Sequence, residues 1–487
     1  MVQIETEKDI EVLRQMARLL AYENQHLHRR IQRLTEELAR GGDTGRLQLE
    51  LDLLKDLLAR RERALFGDSS EKRPGPDPAG LPVPVPPPPP RRGHGPREQP
   101  NLPVIEQPHV LPEDERDCPV CGGIMEEMGE QTEDAEEISV IERRFVVVRH
   151  RRRKYRCRCN ACVVTAPGPP KLQPGSRYSP EFAVEVAVAK YADHAPLERQ
   201  VRIMEREGLG IDSQTLFDQM FILTRHLLPS YEALGLHVLA SPLVHADETH
   251  WKLLDGREAK RWWVWGTARE DAVVYRFLDS RSQVSARAVL EGYEGTVMAD
   301  GYGAYEALRK AGGGFRLVHC WAHVRRKAVE CEANFPRESR EMIDQIGALY
   351  EIERQVPRAG PEATEEERAG RLDLIAKLRR ERSRPIVDGI RAWAAAQLVL
   401  PESGLGRAIG YMLGLWDGLV AFLDDPRLPL DNNLIERGMR GVVLGRKNHY
   451  GSKSRRGTEV AAILYSLIES AKLCDVEPKA YLLRAVH

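Results

Sequence analysis

The sequence contains no run of about 18 consecutive apolar residues, which excludes a membrane-spanning helix among its segments. Its N-terminus, M-V-Q-I-E-T-E-K-D, has no apolar stretch behind a basic start, so no secretory signal is expected and the protein is read as cytoplasmic. Net charge is also lacking: 72 Lys and Arg face 73 Asp and Glu, for a formal charge of -1. That balance neither implies nor excludes a nucleic-acid partner, but the charges are unevenly spread. Residues 143–158 and 437–456 are strongly basic, whereas acidic residues gather at 113–137 and 362–367. Basic stripes in a neutral chain fit a phosphate-bearing partner met at defined surfaces; a solvated charged face is the alternative. Cysteine is scarce, and five of the 8 fall between positions 118 and 162. Without an export signal, such clustering favours metal binding over disulfides.

With 487 residues, 42% of them hydrophobic, the chain is long enough for about three domains. Residues 1–71 open with heptads. Ile10, Ala17, Asn24, Ile31 and Leu38 take one core position, and Leu13, Leu20, Leu27 and Leu34 the other. This is the spacing of a two-stranded coiled coil, in which Asn24 would fix register across a parallel homodimer. A hairpin folded back within one chain, using a second Leu-rich stretch at 47–65, is the alternative. Residues 72–112, with V-P-V-P-P-P-P-P, read as a polyproline II linker.

In residues 113–172, Cys118-Pro-Val-Cys121 and Cys159-Asn-Ala-Cys162 have the spacing of two zinc knuckles, with strands between them. Four thiolates leave no open position, so this zinc is structural. Cys157 competes for a place in the ligand set. Residues 173–238 read as helices: one starts at Ser179-Pro180, one covers 198–207 and one runs from Ser213 to about His226. The Gly-containing turn between the last two suggests a DNA-binding helix-turn-helix or an ordinary bundle.

From position 239 the pattern changes to strands. H-A-D-E-T-H-W sets Asp247 inside an apolar run; R-W-W-V-W-G-T and A-V-V-Y-R-F-L follow at hairpin spacing, and G-T-V-M-A-D sets Asp300 just past a short strand. Three antiparallel strands, a helix, a parallel strand, a helix and another strand is the order of a ribonuclease-H-like sheet. Neighbouring acids on adjacent strands repel unless hard cations neutralise them. Two Mg²⁺ (or Mn²⁺) ions there would clamp a scissile phosphate. Glu436, in D-N-N-L-I-E-R, is the third candidate ligand, against Glu248, Asp431 and Glu459. Arg437, Arg440, Arg446 and Lys447 behind it suit flanking phosphates, as do Arg151, Arg152, Arg153 and Lys154 in the first basic stripe. His319, His323, Arg325, Arg326 and Lys327 follow the last strand and are expected near the cleft. Residues 328–425 read as a helical insertion in a catalytic region spanning 239–456, and 457–487 as a C-terminal helical segment. Trp262, Trp263 and Trp265 are mostly core, one of them available to stack on a base.

The motifs L-F-G-D-S-S-E-K (65–72), C-P-V-C-G-G (118–123), A-D-H-A-P-L-E-R-Q (192–200), H-A-D-E-T-H-W (245–251), D-G-Y-G-A-Y (300–305), C-W-A-H-V-R-R-K (320–327), D-N-N-L-I-E-R (431–437) and G-R-K-N-H-Y-G-S (445–452) resemble, in order, those of the insertion-sequence-66 transposase family. The resemblance implies a DDE transposase, an α+β multidomain protein with a ribonuclease-H-like core. It carries the acidic roles onto Asp247, Asp300 and Glu436. It also implies cleavage and strand transfer at the terminal inverted repeats of a bacterial mobile element, association with the nucleoid through DNA, and possible helper proteins encoded beside the gene. The extra cysteine in C-R-C-N-A-C departs from the family and leaves the zinc ligand set open. Three rival readings are a silent DNA-binding regulator, a nuclease of the same fold without strand transfer, and a zinc-dependent hydrolase.

Overall fold

The computed structural model describes residues 27, 29–36, 48, 50–55, 145–156, 163–255, 260–357 and 363–486. The linker and all five clustered cysteines, with the knuckle ligands Cys118, Cys121, Cys159 and Cys162, lie outside the described residues, as do Leu38 and the heptad positions before Leu27. Within the described N-terminal residues, 29–36 and 50–55 are helical, and Leu34 and Leu51 are buried. Arg30 Nη2 lies 2.7 Å from Glu50 Oε1. This one contact links the two helical stretches within the chain.

Elements are numbered from residue 154. A two-stranded antiparallel ribbon, β1 (Lys154–Arg156) and β2 (Val163–Thr165), leads into three helices. The first, α1 (Pro180–Tyr191), is capped as its sequence dictates: Ser179 Oγ accepts from Phe182 N–H, and Pro180 occupies the first turn. A second helix, α2 (Leu197–Arg206), follows, then α3 (Ser213–Leu239), capped by Asp212. The expected end of α3 near His226 is corrected: the helix continues through Pro229 to Leu239, because Leu227 is buried in the core shared with α1 and Val238, with Leu234 and Leu239, packs on the crossover-side core.

The central sheet has the order β5-β4-β3-β6-β7. Strands β3 (Leu243–Leu253), β4 (Lys260–Arg269) and β5 (Ala272–Leu278) form an antiparallel meander, while β6 (Thr296–Ala299) and β7 (Arg316–His319) run parallel to β3. Helices α4 (Gln283–Val289) and α5 (Gly303–Lys310) make the crossovers. On their side of the sheet a core gathers Val244, Ala246, Trp265, Val297 and Tyr305. The opposite side packs on α12 (Asn433–His449) and α13 (Arg455–Leu473), and shares one core with α1, α3 and the last helix, α14 (Pro478–Val486).

Between β7 and α12 lies the helical insertion. It runs through α6 (Trp321–Cys331), α7 (Pro336–Glu353), α8 (Glu365–Leu378), a π-helical turn, α9 (Arg384–Ala396), α10 (Gly404–Gly414) and α11 (Trp416–Val420). It has its own core around Trp321, Met342, Ile346, Ile390 and Met412. The π turn presents Arg379, buried, to both oxygens of Glu353 at 2.7 and 2.8 Å and to the carbonyls of Phe422 and Asp425. A bidentate pair with further donors taken up by carbonyls is the arrangement in which a buried guanidinium is tolerated. No helix among the described residues is long and apolar enough to cross a membrane.

Candidate active site

Strand alternation decides what each acid of β3 can do. Successive side chains point to opposite faces, so Asp247 faces α12 while Glu248 faces α4 and α5. Glu248 is wholly buried and fully occupied. Arg281 Nε and Nη2 donate to its Oε1 at 2.8 and 2.6 Å, and Tyr305 Oη donates to Oε2 at 2.8 Å. Arg281 in turn stacks over Tyr302 and Trp263, at 3.7 and 4.9 Å from the ring centroids. Glu248 therefore stands behind the cleft with both oxygens committed, its carboxyl raised first by burial and then by the Asp300 charge against the donors Tyr305 and Arg281.

Asp247 lies opposite Gly266 in the ladder. That glycine is required by close approach: a Cβ there would meet Ile435 Cδ1 at 2.8 Å and Met439 Cε at 3.1 Å. Without a side chain at 266, the first turn of α12 settles directly on the sheet beside Asp247. Asn432, fully buried at the helix start, fastens it. Its Oδ1 is 2.9 Å from His245 Nδ1, and its Nδ2 donates to Ala246 O at 2.8 Å. Asn432 thus occupies the N-cap position but spends its side chain on β3, and Asp431 accepts instead from Asn433 N–H and Nδ2. Glu436 falls in the first turn of α12.

Asp300 follows β6, next to β3. Its Oδ1 accepts from Tyr302 N–H at 2.8 Å, and its carbonyl accepts from Tyr411 Oη of α10, so the insertion roofs this corner. Gly301 supplies the left-handed backbone (φ +93) that the turn requires. The three acids share one electrostatic field. Burial pushes the Asp247 carboxyl up to about 8, and the charges of Glu248, Asp300 and Glu436 add to the shift against the N–H donated by Glu248. The competing acids lie elsewhere: Asp431 is occupied at the helix start, and Glu459 is exposed on α13, lining a groove of about 460 Å³ with Phe221, Leu228 and Ile463.

Glu436 meets the residues that open α6. His323 Nδ1 is 3.6 Å from Oε1, and Arg326 Nη2 is 3.5 Å from Oε2. The first contact is too long for a hydrogen bond, and both of its atoms are buried without a partner. Burial holds His323 below the ordinary imidazole range, against the opposing pull of the Glu436 charge. His319 is buried at the end of β7, and its pKa is likewise depressed by burial.

The basic candidates divide. Arg437, Arg440 and Lys447 are exposed on α12. Arg446 is not among them: it donates to Thr249 Oγ1 at 3.1 Å and to His250 O, tying α12 to β3. Arg325 is half-buried, and Lys327 pairs with Glu330 at 2.9 Å. Arg151, Arg152, Arg153 and Lys154 are all exposed at the ribbon, where Arg152 also donates to Ala166 O. Trp265 is core, while Trp262 and Trp263 are half-buried beneath Arg455 and Arg281. Asn432, which the sequence offers as a helix cap, clips α12 to β3 instead, and sequence reasoning passed over His245, Arg281, Tyr302 and Tyr305. The doubled Asn of D-N-N beside the acidic motif was the one available signal; Arg281 has none, since its partner lies 33 residues away.

The five-stranded mixed sheet brings acids from two adjacent strands within electrostatic reach of each other and of a first-turn glutamate on the returning helix. Comparison with known proteins identifies the family. Residues 175–460 match the model of the Transposase IS66 family, and residues 115–160 match the zinc-finger binding domain of transposase IS66. The chain belongs to the IS66 transposase family. It is 33% identical over 410 residues to the uncharacterized protein y4jD of Sinorhizobium fredii, covering 80% of this chain and 77% of that one. Its identity to y4hP of the same organism is 30% over 409 residues, covering 78% and 71%. The zinc-finger match takes in Cys118, Cys121, Cys157 and Cys159 and stops short of Cys162.

Proposed function

We propose that this chain cuts and joins DNA at the terminal inverted repeats of a bacterial insertion sequence, with Asp247, Asp300 and Glu436 as the catalytic carboxylates of a ribonuclease-H-like core. The observation that supports the reading is geometric: Asp247 in β3, Asp300 just past the adjacent β6 and Glu436 in the first turn of α12 lie close enough for the latter two charges to add to burial in raising the Asp247 carboxyl. Carboxylates crowded in this way, beside an unpartnered Glu436 oxygen, fit a divalent-cation site. What a pair of Mg²⁺ or Mn²⁺ ions supplies in such a site is activation of a water or 3′-hydroxyl and charge stabilisation at the leaving oxygen.

The protein's own part is positioning. Glu248 N–H and Tyr302 N–H orient one oxygen each of Asp247 and Asp300. Exposed Arg437, Arg440 and Lys447 hold phosphates flanking the scissile one, while Arg151, Arg153 and Lys154, with Arg325, Arg326 and Lys327, extend the track. Cys118, Cys121, Cys159 and Cys162 hold a structural Zn²⁺ in the zinc finger, with Cys157 as the alternate ligand. The proposal extends to a homodimer joined through residues 1–71, to element-encoded helper proteins, and to a cytoplasmic enzyme carried on the nucleoid by its DNA.

The test is incubation of the full chain with DNA carrying element ends and Mg²⁺. Nicked product is expected, followed by joined product when a pre-cut end is supplied. Binding without nicking identifies a regulator, nicking without joining a nuclease, and cleavage that persists without Mg²⁺ but fails on loss of Cys118 a zinc hydrolase.

A further inference from the structure

Cys320, His323 and Glu436 bring three different donors together. A thiol sulfur, an imidazole nitrogen and a carboxylate oxygen lie within 4.8 Å of one another. Local geometry accounts for two of them: Cys320 stands at the N-cap of α6 and His323 three residues on, so their side chains share one side of the first turn. The third arrives with α12, whose seat on Gly266 fixes Glu436 against that turn.

Two observations point to a ligand there. His323 Nδ1 and Glu436 Oε1 are buried without hydrogen-bond partners and face each other at 3.6 Å. Buried polar atoms left in this state pay their full desolvation penalty unless something binds them. In addition, Asn432 N–H donates to Cys320 Sγ at 3.2 Å, the outer contact that steadies a ligating thiolate. The donor set also selects its ion. Mg²⁺ takes oxygen ligands, whereas sulfur with imidazole selects Zn²⁺ and its analogue Co²⁺.

We propose that Cys320, His323 and Glu436 form a binding site for one Zn²⁺, and that its occupation withdraws Glu436 from the acidic cleft. Binding exchanges the Cys320 thiol proton for a sulfur–zinc bond, with no change of oxidation state. Three protein ligands leave one tetrahedral position for water. The site is separate from the zinc finger in sequence and in donor set. Withdrawal of Glu436 rests on its assigned catalytic role; ion binding does not.

The test titrates the full-length chain with Co²⁺ in a non-thiol reductant, reading sulfur-to-cobalt charge-transfer absorbance and the equivalents bound. Wild type is expected to bind one equivalent more than either Cys320→Ser or His323→Gln, with circular dichroism verifying that each variant is folded. His323 is 16% exposed, so its substitution tests the site even where the change at buried Cys320 unfolds the chain. Equal equivalents in all folded proteins overturn the site. In the second arm, Zn²⁺ added to Mg²⁺-dependent nicking inhibits wild type and spares Cys320→Ser. Equal inhibition overturns the withdrawal of Glu436. Absence of nicking by wild type at any Mg²⁺ concentration overturns it too, together with the proposed function, while the cobalt count still decides the site.

Discussion

Asp247 carries much of the energetic tension of the cleft in its own titration. A carboxyl whose folded pKa is raised to about 8 keeps its proton in the folded chain over a range where the unfolded chain has released it. The folded state then binds more protons than the unfolded one, so stability falls as pH rises from about 4 through about 8 and the loss is complete above that. Asp247→Asn removes this cost along with the chemistry. In the absence of metal, the variant's Tm should exceed that of wild type at high pH, and the gap should close toward pH 4. Equal pH slopes in scanning calorimetry would remove Asp247 as the group responsible. Nicking by the variant should be abolished as well. Behind Asp247, Glu248 is wholly buried and depends on Arg281 for its countercharge. Arg281→Gln strands that charge and should cost about 3 kcal/mol in urea denaturation, the lower end for a broken buried pair because Arg281 is partly exposed.

At the scale of the element, α12 is the piece that completes the site, and its position depends on what the sheet beneath it lacks. Gly266→Ala inserts a methyl at 2.8 Å from Ile435 Cδ1, which must yield. An overpacking cost of about 1–3 kcal/mol is expected, with half-saturation by Mg²⁺ moved to higher concentration as Glu436 is displaced. Unchanged half-saturation would separate this packing from the site. Helix α13 solves a different problem. As the sheet's edge strand, β5 has backbone groups without a strand partner. Ser470 Oγ accepts from Val273 N–H at 2.9 Å and Ser466 Oγ from Tyr275 N–H at 2.8 Å, so two helix serines close the edge. Hydroxyls in place of two core aliphatics explain why the apolar pattern of this C-terminal helix is interrupted there.

For the whole molecule, the question is which basic residues meet the nucleic acid. A substitution at Arg437 and Arg440 together should weaken binding to all DNA sequences alike and lower the salt slope by about 0.9 for each phosphate left unneutralised. Arg446→Ala should leave that slope unchanged and lower Tm instead, since its guanidinium is committed to Thr249 and His250. A shift of the slope in that variant would return Arg446 to the DNA-facing set. The insertion matters on the same scale. Tyr411 donates to the Asp300 carbonyl, so a module with its own core is tied to the end of β6 where that acid sits.

The sequence by itself determined the strands, the crossover helices, the acidic candidates and the length of the insertion, because strand alternation, helix caps and motif spacing are local properties of a chain. Only tertiary structure decided that Asn432 clips α12 to His245 across 187 residues, that Arg446 turns inward, that α3 continues past Pro229, and that Cys320, His323 and Glu436 converge. Each of these depends on which surfaces meet when buried apolar faces pack. That choice is made by shape and area summed over the whole core, and a one-dimensional pattern does not contain it.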